Sequence, residues 1–184
     1  MLKRGMSKAE IEKEIANQGD FVQIDHLSAF LKEDIPTDIR KFVMTKIAFL
    51  YEKNFMFGEA GKIFNNIALL STPFSDKIKA HLKEAELYIR AGSIRDADYA
   101  VDKAMKEANT FEKNDITFNV KQFYKRQAEA HEKGLRRNNA LKMYEKLYSL
   151  SQSEAEKAQV KPKLLELYEK LGKFREFNAL KGKS

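Results

Sequence analysis

The chain has no cysteine, no tryptophan, three prolines and eight glycines in 184 residues. Without thiols, neither a disulfide nor a thiolate metal site can form. The lack of cysteine fits a reducing compartment, so a cytoplasmic location is expected. Scarce proline and glycine suit long uninterrupted helices, because both residues interrupt them. No apolar run approaches the ~20 residues of a membrane span. The opening MLKRGMSKAEIEKE also lacks the apolar centre of a signal peptide. No membrane partner is expected on these grounds.

The residues that are present describe a folded chain. Hydrophobic residues make up 43% and charged residues 33%, enough apolar surface for a core. The net charge of +7 is unevenly spread. Residues 1–110 hold 17 Lys+Arg and 17 Asp+Glu, whereas residues 111–184 hold 17 and 10, so the whole excess lies in the last part.

Chemistry-bearing patterns are sparse. His26, His81 and His131 include no pair at the i, i+4 spacing of a helical metal site. Asp96, Asp98 and Asp102 lack the central glycine and closing glutamate of a calcium loop. Gly58 and Gly61 are not followed by the Gly-Lys of a phosphate loop. Serines sit at expected caps and turns, without a nucleophile-elbow context. No catalytic residue, metal ligand or cofactor is expected, and the chain does not read as an enzyme.

Self-similarity is stronger. Tyr51, Ala60 and Phe64 repeat as Tyr88, Ala97 and Val101, then as His131, Ala140 and Tyr144, with the same spacings. Small residues in pairs (Ala48 with Ala60, Ala85 with Ala97, Ala128 with Ala140) let two helices approach. Tyr51, Phe64, Tyr88 and Tyr144 then fill the gap to the next pair. The spacing predicts helices over 7–17, 20–33, 37–53, 57–70, 75–91, 94–109, 115–133, 137–150, 154–170 and 174–181. Ser7 and Glu10 form a capping box, Asp20 and Gln23 suggest a second, and Ser93 is placed to cap the helix starting at Ile94. Gly92 and Gly172 are expected to end helices in the left-handed conformation. The segment Asn114–Asp115–Ile116 either lengthens the helix that follows or adds a loop.

This pattern resembles the tetratricopeptide repeat family over nearly the whole chain. Five units align at 5–38, 41–74, 78–111, 121–154 and 158–184, forming one domain over 1–184. Met44, His81 and Tyr124 replace the signature tryptophan, and Glu84 and Gln127 occupy positions that are usually leucine. Packing roles for His81 and His131 are implied by this resemblance. The resemblance implies an all-α, right-handed superhelical solenoid of antiparallel helix pairs, acting as a protein-interaction scaffold. The first helix of each unit would line a concave groove holding a protein or peptide. The groove contacts implied are Phe42, Phe49 and Lys53, then Leu82, Lys83, Ile89 and Arg90, then Lys125 and Arg126. Members that clamp acidic chaperone tails need Lys and Asn where Thr45 and Phe49 stand here.

The basic surface offers an alternative. Lys133, Arg136 and Arg137 flank a turn at Gly134–Leu135, within the half of the chain that carries the charge excess. A one-sided excess attracts polyanions, which makes RNA or the ribosome an alternative partner. Phe174, Phe177 and Leu180 on a short last helix either close the core or meet a second copy in a homo-oligomer.

Overall fold

The computed structural model describes residues 2–182; Met1, Lys183 and Ser184, including one lysine of the basic half, lie outside the described residues. Among the described residues there are ten helices and no strand: α1 (Lys8–Ile15), α2 (Asp20–Phe30), α3 (Thr37–Lys53), α4 (Phe57–Leu69), α5 (Phe74–Ala91), α6 (Ile94–Glu107), α7 (Thr110–Lys133), α8 (Arg137–Leu150), α9 (Glu154–Lys170) and α10 (Phe174–Lys181). Each observed helix answers an expected one, and α3, α8, α9 and α10 have the expected bounds. No helix among the described residues is long and apolar enough to cross a membrane.

The chain parts into two compact units, Met1–Ile116 and Thr117–Ser184, with the division inside α7. In the first unit, α2 through α6 pack each against the next, and in the second α8, α9 and α10 do so. The first unit's core begins with Ile11, Ile15, Ile24, Leu27, Phe30, Val43 and Ile47 of α1 to α3. It continues through Ala48, Ala60, Ala85 and Ala97, all without exposed surface. Gly61 extends this small-residue line. A Cβ there would lie 3.1 Å from the Tyr88 ring, so α4 meets α5 closely because position 61 has no side chain. The second unit buries Ala128 and Ala140 with Leu141, Met143, Tyr144, Leu147, Leu164 and Leu167. Each such aliphatic side chain contributes about 1.5–3 kcal/mol when removed from water.

Caps explain the bounds. Ser7 accepts from the Glu10 N–H, and the Glu10 carboxylate accepts from the Ser7 N–H, completing the expected box. Two expected caps differ. The N-cap of α2 is Gly19, and Asp20 is drawn away to Lys53 and Asn54. Ser93 occupies the N-cap of α6 without a side-chain cap bond. The 115–133 helix starts five residues earlier, at Thr110. Asn109 Oδ1 accepts from the Glu112 N–H while Glu112 accepts from the Asn109 N–H, a capping box that extends α7 to 24 residues. Of the two expected alternatives at Asn114–Ile116, the longer helix is observed.

Four turns are built alike. After α3, α5, α7 and α9, a residue with positive φ follows the helix: Phe55, Gly92, Leu135 and Gly172, spaced 37, 43 and 37 residues apart. In each, the next N–H reaches back to Tyr51, Tyr88, His131 or Tyr168 respectively, at 2.8–2.9 Å. This paired-bond stop is the left-handed helix ending that favours glycine. In Phe55 and Leu135 the same conformation costs roughly 1–2 kcal/mol.

Candidate functional site

In the first unit, the predicted contacts on α3 and α5 divide into exposed, braced and buried residues. Phe49 is 54% exposed on α3. One turn further on, Glu52 receives Lys83 at 3.2 Å and also Arg90, both from α5. Lys83 also meets Glu86 at 3.1 Å. The Arg90 guanidinium lies 4.1 Å from the centre of the Phe57 ring. These two cations therefore tie α3 to α5 and to the start of α4. Lys53 donates to Asp20 at 2.8 Å. That bond, followed by the Asn54 amide, holds the Asp20 carboxyl below its usual range.

Two predicted contacts change character. Ile89 has no exposed surface. It continues the stripe of Ile78, His81 and Ala85 at helical spacing, so it faces the core and leaves the contact set. Phe42 packs against the α1–α3 core, with the Lys8 and Lys46 ammoniums 6.0 and 5.5 Å from its ring centre. Leu82 is half-buried. Phe49 is thus the exposed apolar residue of the predicted set.

In the second unit, Lys125 and Arg126 are exposed on α7, and the Arg126 guanidinium lies 5.2 Å from the Phe123 ring centre. Lys125 edges a pocket of about 210 Å³ with a floor of Tyr144, Leu147 and Val160 and a rim that includes Lys121, Glu129, Glu156 and Lys163. That volume accepts one side chain; small-molecule sites usually begin at ~300 Å³. The rim is tied across α7 and α9 by Lys121–Glu156 at 2.9 Å and Lys163–Glu132 at 3.1 Å. Lys121 and the Gln152 N–H hold the Glu156 carboxyl below its usual range. The Tyr144 hydroxyl donates to Glu132 at 2.6 Å. Burial, followed by that bond, raises its pKa far above the usual phenol value and keeps it a donor.

Lys133, Arg136 and Arg137 all lie exposed around the α7–α8 turn. None of the ion pairs found among the described residues of this unit engages them. Beneath them His131 is buried beside Gln127 at 3.1 Å. Burial, then the Arg136 charge, lowers its pKa. In the last helix, Leu180 is buried, Phe177 half-buried and Phe174 exposed.

Sequence reasoning missed one polar cluster. Glu84 on α5, 3% exposed, receives Lys103 of α6 at 2.8 and 2.9 Å and the His81 Nδ1 at 2.8 Å. Lys103 also donates to Asn65 of α4 at 2.6 Å. Tyr88, Tyr99 and Asp96 line the cleft above, about 550 Å³ in volume. The available signal was a carboxylate at a leucine position with histidine three residues earlier. A buried carboxylate needs pairing or hydrogen bonds, and here a lysine of the adjoining helix supplies them. Among the described residues, no three metal-ligating side chains come together. No protein-family model matches the chain, and no curated protein matches it.

Proposed function

We propose that this chain is a non-catalytic, tetratricopeptide-like helical-repeat solenoid whose first-helix faces hold a protein or peptide partner. The four alike turns, their 37, 43 and 37 residue spacing and the buried alanine pairs support the repeat reading. The single observation that carries the binding reading is Phe49, an aromatic 54% exposed beside charges that already satisfy one another. Braced charges position a face, and an exposed ring on it gains by being covered. Purification of tagged chain from its native cell tests this reading. Phe49→Ala should lose the bound protein roughly tenfold while the fold is kept. Equal recovery by both forms contradicts it.

A second reading rests on a different observation, the exposed and unbridged Lys133, Arg136 and Arg137. This hairpin would bind a polyanion such as RNA, with affinity falling steeply as salt rises. Arg136→Glu with Arg137→Glu should abolish that binding. Binding that ignores salt, or survives this double variant, removes the reading.

A further inference from the structure

The left-handed stop after α7 carries Leu135, where two of the equivalent stops carry Gly92 and Gly172. Glycine takes that conformation without strain and leucine does not. At 79% exposure, packing within the chain does little to offset the strain. Phe55, at the fourth such position, is 80% exposed as well, but it has a ring partner in Phe57 at 6.0 Å and lacks unbridged flanking cations. At Leu135 a strained backbone and a solvated apolar side chain coincide, and glycine would remove both. That combination indicates a use outside the chain.

The surroundings define the use. Lys133, Arg136 and Arg137 stand on either side of the leucine, and residues 133–144 carry four cations and no carboxylate. A Cβ at Gly134 would lie 3.2 Å from the Arg136 Nε, so the glycine leaves space for the guanidinium beside the tip. Leu135, Arg136, Arg137 and Leu171 share one shallow depression. An exposed aliphatic side chain flanked along the chain by unbridged cations matches an apolar layer capped with phosphates. We propose that this hairpin docks on an anionic lipid surface, Leu135 entering the acyl boundary while Lys133, Arg136 and Arg137 hold the head-group phosphates. Lysine and arginine stems are long enough to keep their charges at that depth. The inference rests on the polyanion reading of the same hairpin and specifies the polyanion. It departs from the expectation of no membrane partner, which concerned spanning segments; surface docking requires none. RNA fits less well, because leucine offers a base no aromatic face to stack on. Phosphate contacts alone would also leave the leucine in water.

Flotation of the full chain with phosphatidylcholine vesicles, with and without phosphatidylserine, tests this. Binding should require phosphatidylserine, weaken with salt and vanish in the Arg136→Glu, Arg137→Glu variant. Leu135→Gly keeps every cation and relieves the backbone. It should melt no lower than the parent yet lose roughly tenfold in vesicle binding. Absence of flotation on anionic vesicles, or equal flotation of Leu135→Gly and parent, overturns the proposal. In that event, salt-sensitive RNA binding that Leu135→Gly leaves unchanged would preserve the polyanion reading. Failure to bind either RNA or vesicles would overturn both.

Discussion

At Gly61 a missing side chain sets how closely α4 meets α5. A Cβ there would press on the Tyr88 ring at 3.1 Å, and a β-branched one would force the ring out of place. Gly61→Val should therefore cost about 1–3 kcal/mol of unfolding free energy in a urea titration. His131 provides a second test. Burial and the Arg136 charge hold its pKa below 6.5 in the folded chain. Between that depressed value and the ordinary value near 6.5, the unfolded chain binds more protons, so stability falls as pH drops through this window. His131→Tyr, which installs the residue found at positions 51, 88 and 168, should lose less stability than the parent between neutral and mildly acidic buffer. An identical loss in both forms contradicts the assignment. Residue patterns made much of this legible: the alanine pairs follow from spacing, and the buried positions of His81 and His131 follow from the repeat resemblance. Ile89 was harder to place. Successive residues turn by about 100° around a helix, and a register assigned from resemblance alone puts Ile89 on the groove stripe rather than the core stripe.

Among the elements, α7 shows what a local signal can supply. Asn109 and Glu112 form the same reciprocal box as Ser7 and Glu10. The asparagine of α7 preceded the expected start by six residues, at the end of the expected helix 94–109 in the third unit, and repeat spacing gave no reason to start a new helix there. The Glu84–Lys103 bridge between α5 and α6 was not legible, because Lys103 reads as a surface residue until the fold brings it within 2.8 Å of Glu84. Removing Lys103 takes the cation from the buried Glu84 carboxylate and leaves it the His81 ring as partner. Lys103→Met should cost about 3–5 kcal/mol, and adding Glu84→Leu should recover most of the loss. Chemical denaturation of the two single variants and the double variant measures the coupling. Additive losses would mean that the bridge does not govern the α5–α6 contact.

Along the whole molecule one helix-turn-helix stop recurs four times, a frame that leaves Phe49 and Leu135 exposed. The frame was readable because repetition shows the same physical requirement several times: a small residue where helices touch and a left-handed stop where they turn. The proposed binding face was less readable. Its cations were expected to contact a partner, yet Glu52 holds both Lys83 and Arg90. Only the folded chain shows that Phe49 remains uncovered. The central claim is that a partner lies on the first-helix side, at Phe49. Site-specific photo-crosslinking in the native cell tests it most directly, with a photoreactive phenylalanine at position 49 and, as control, at the exposed Tyr99 of α6. The account predicts one discrete protein adduct from position 49 that is absent from position 99. No adduct from position 49, or the same adducts from both positions, would contradict it.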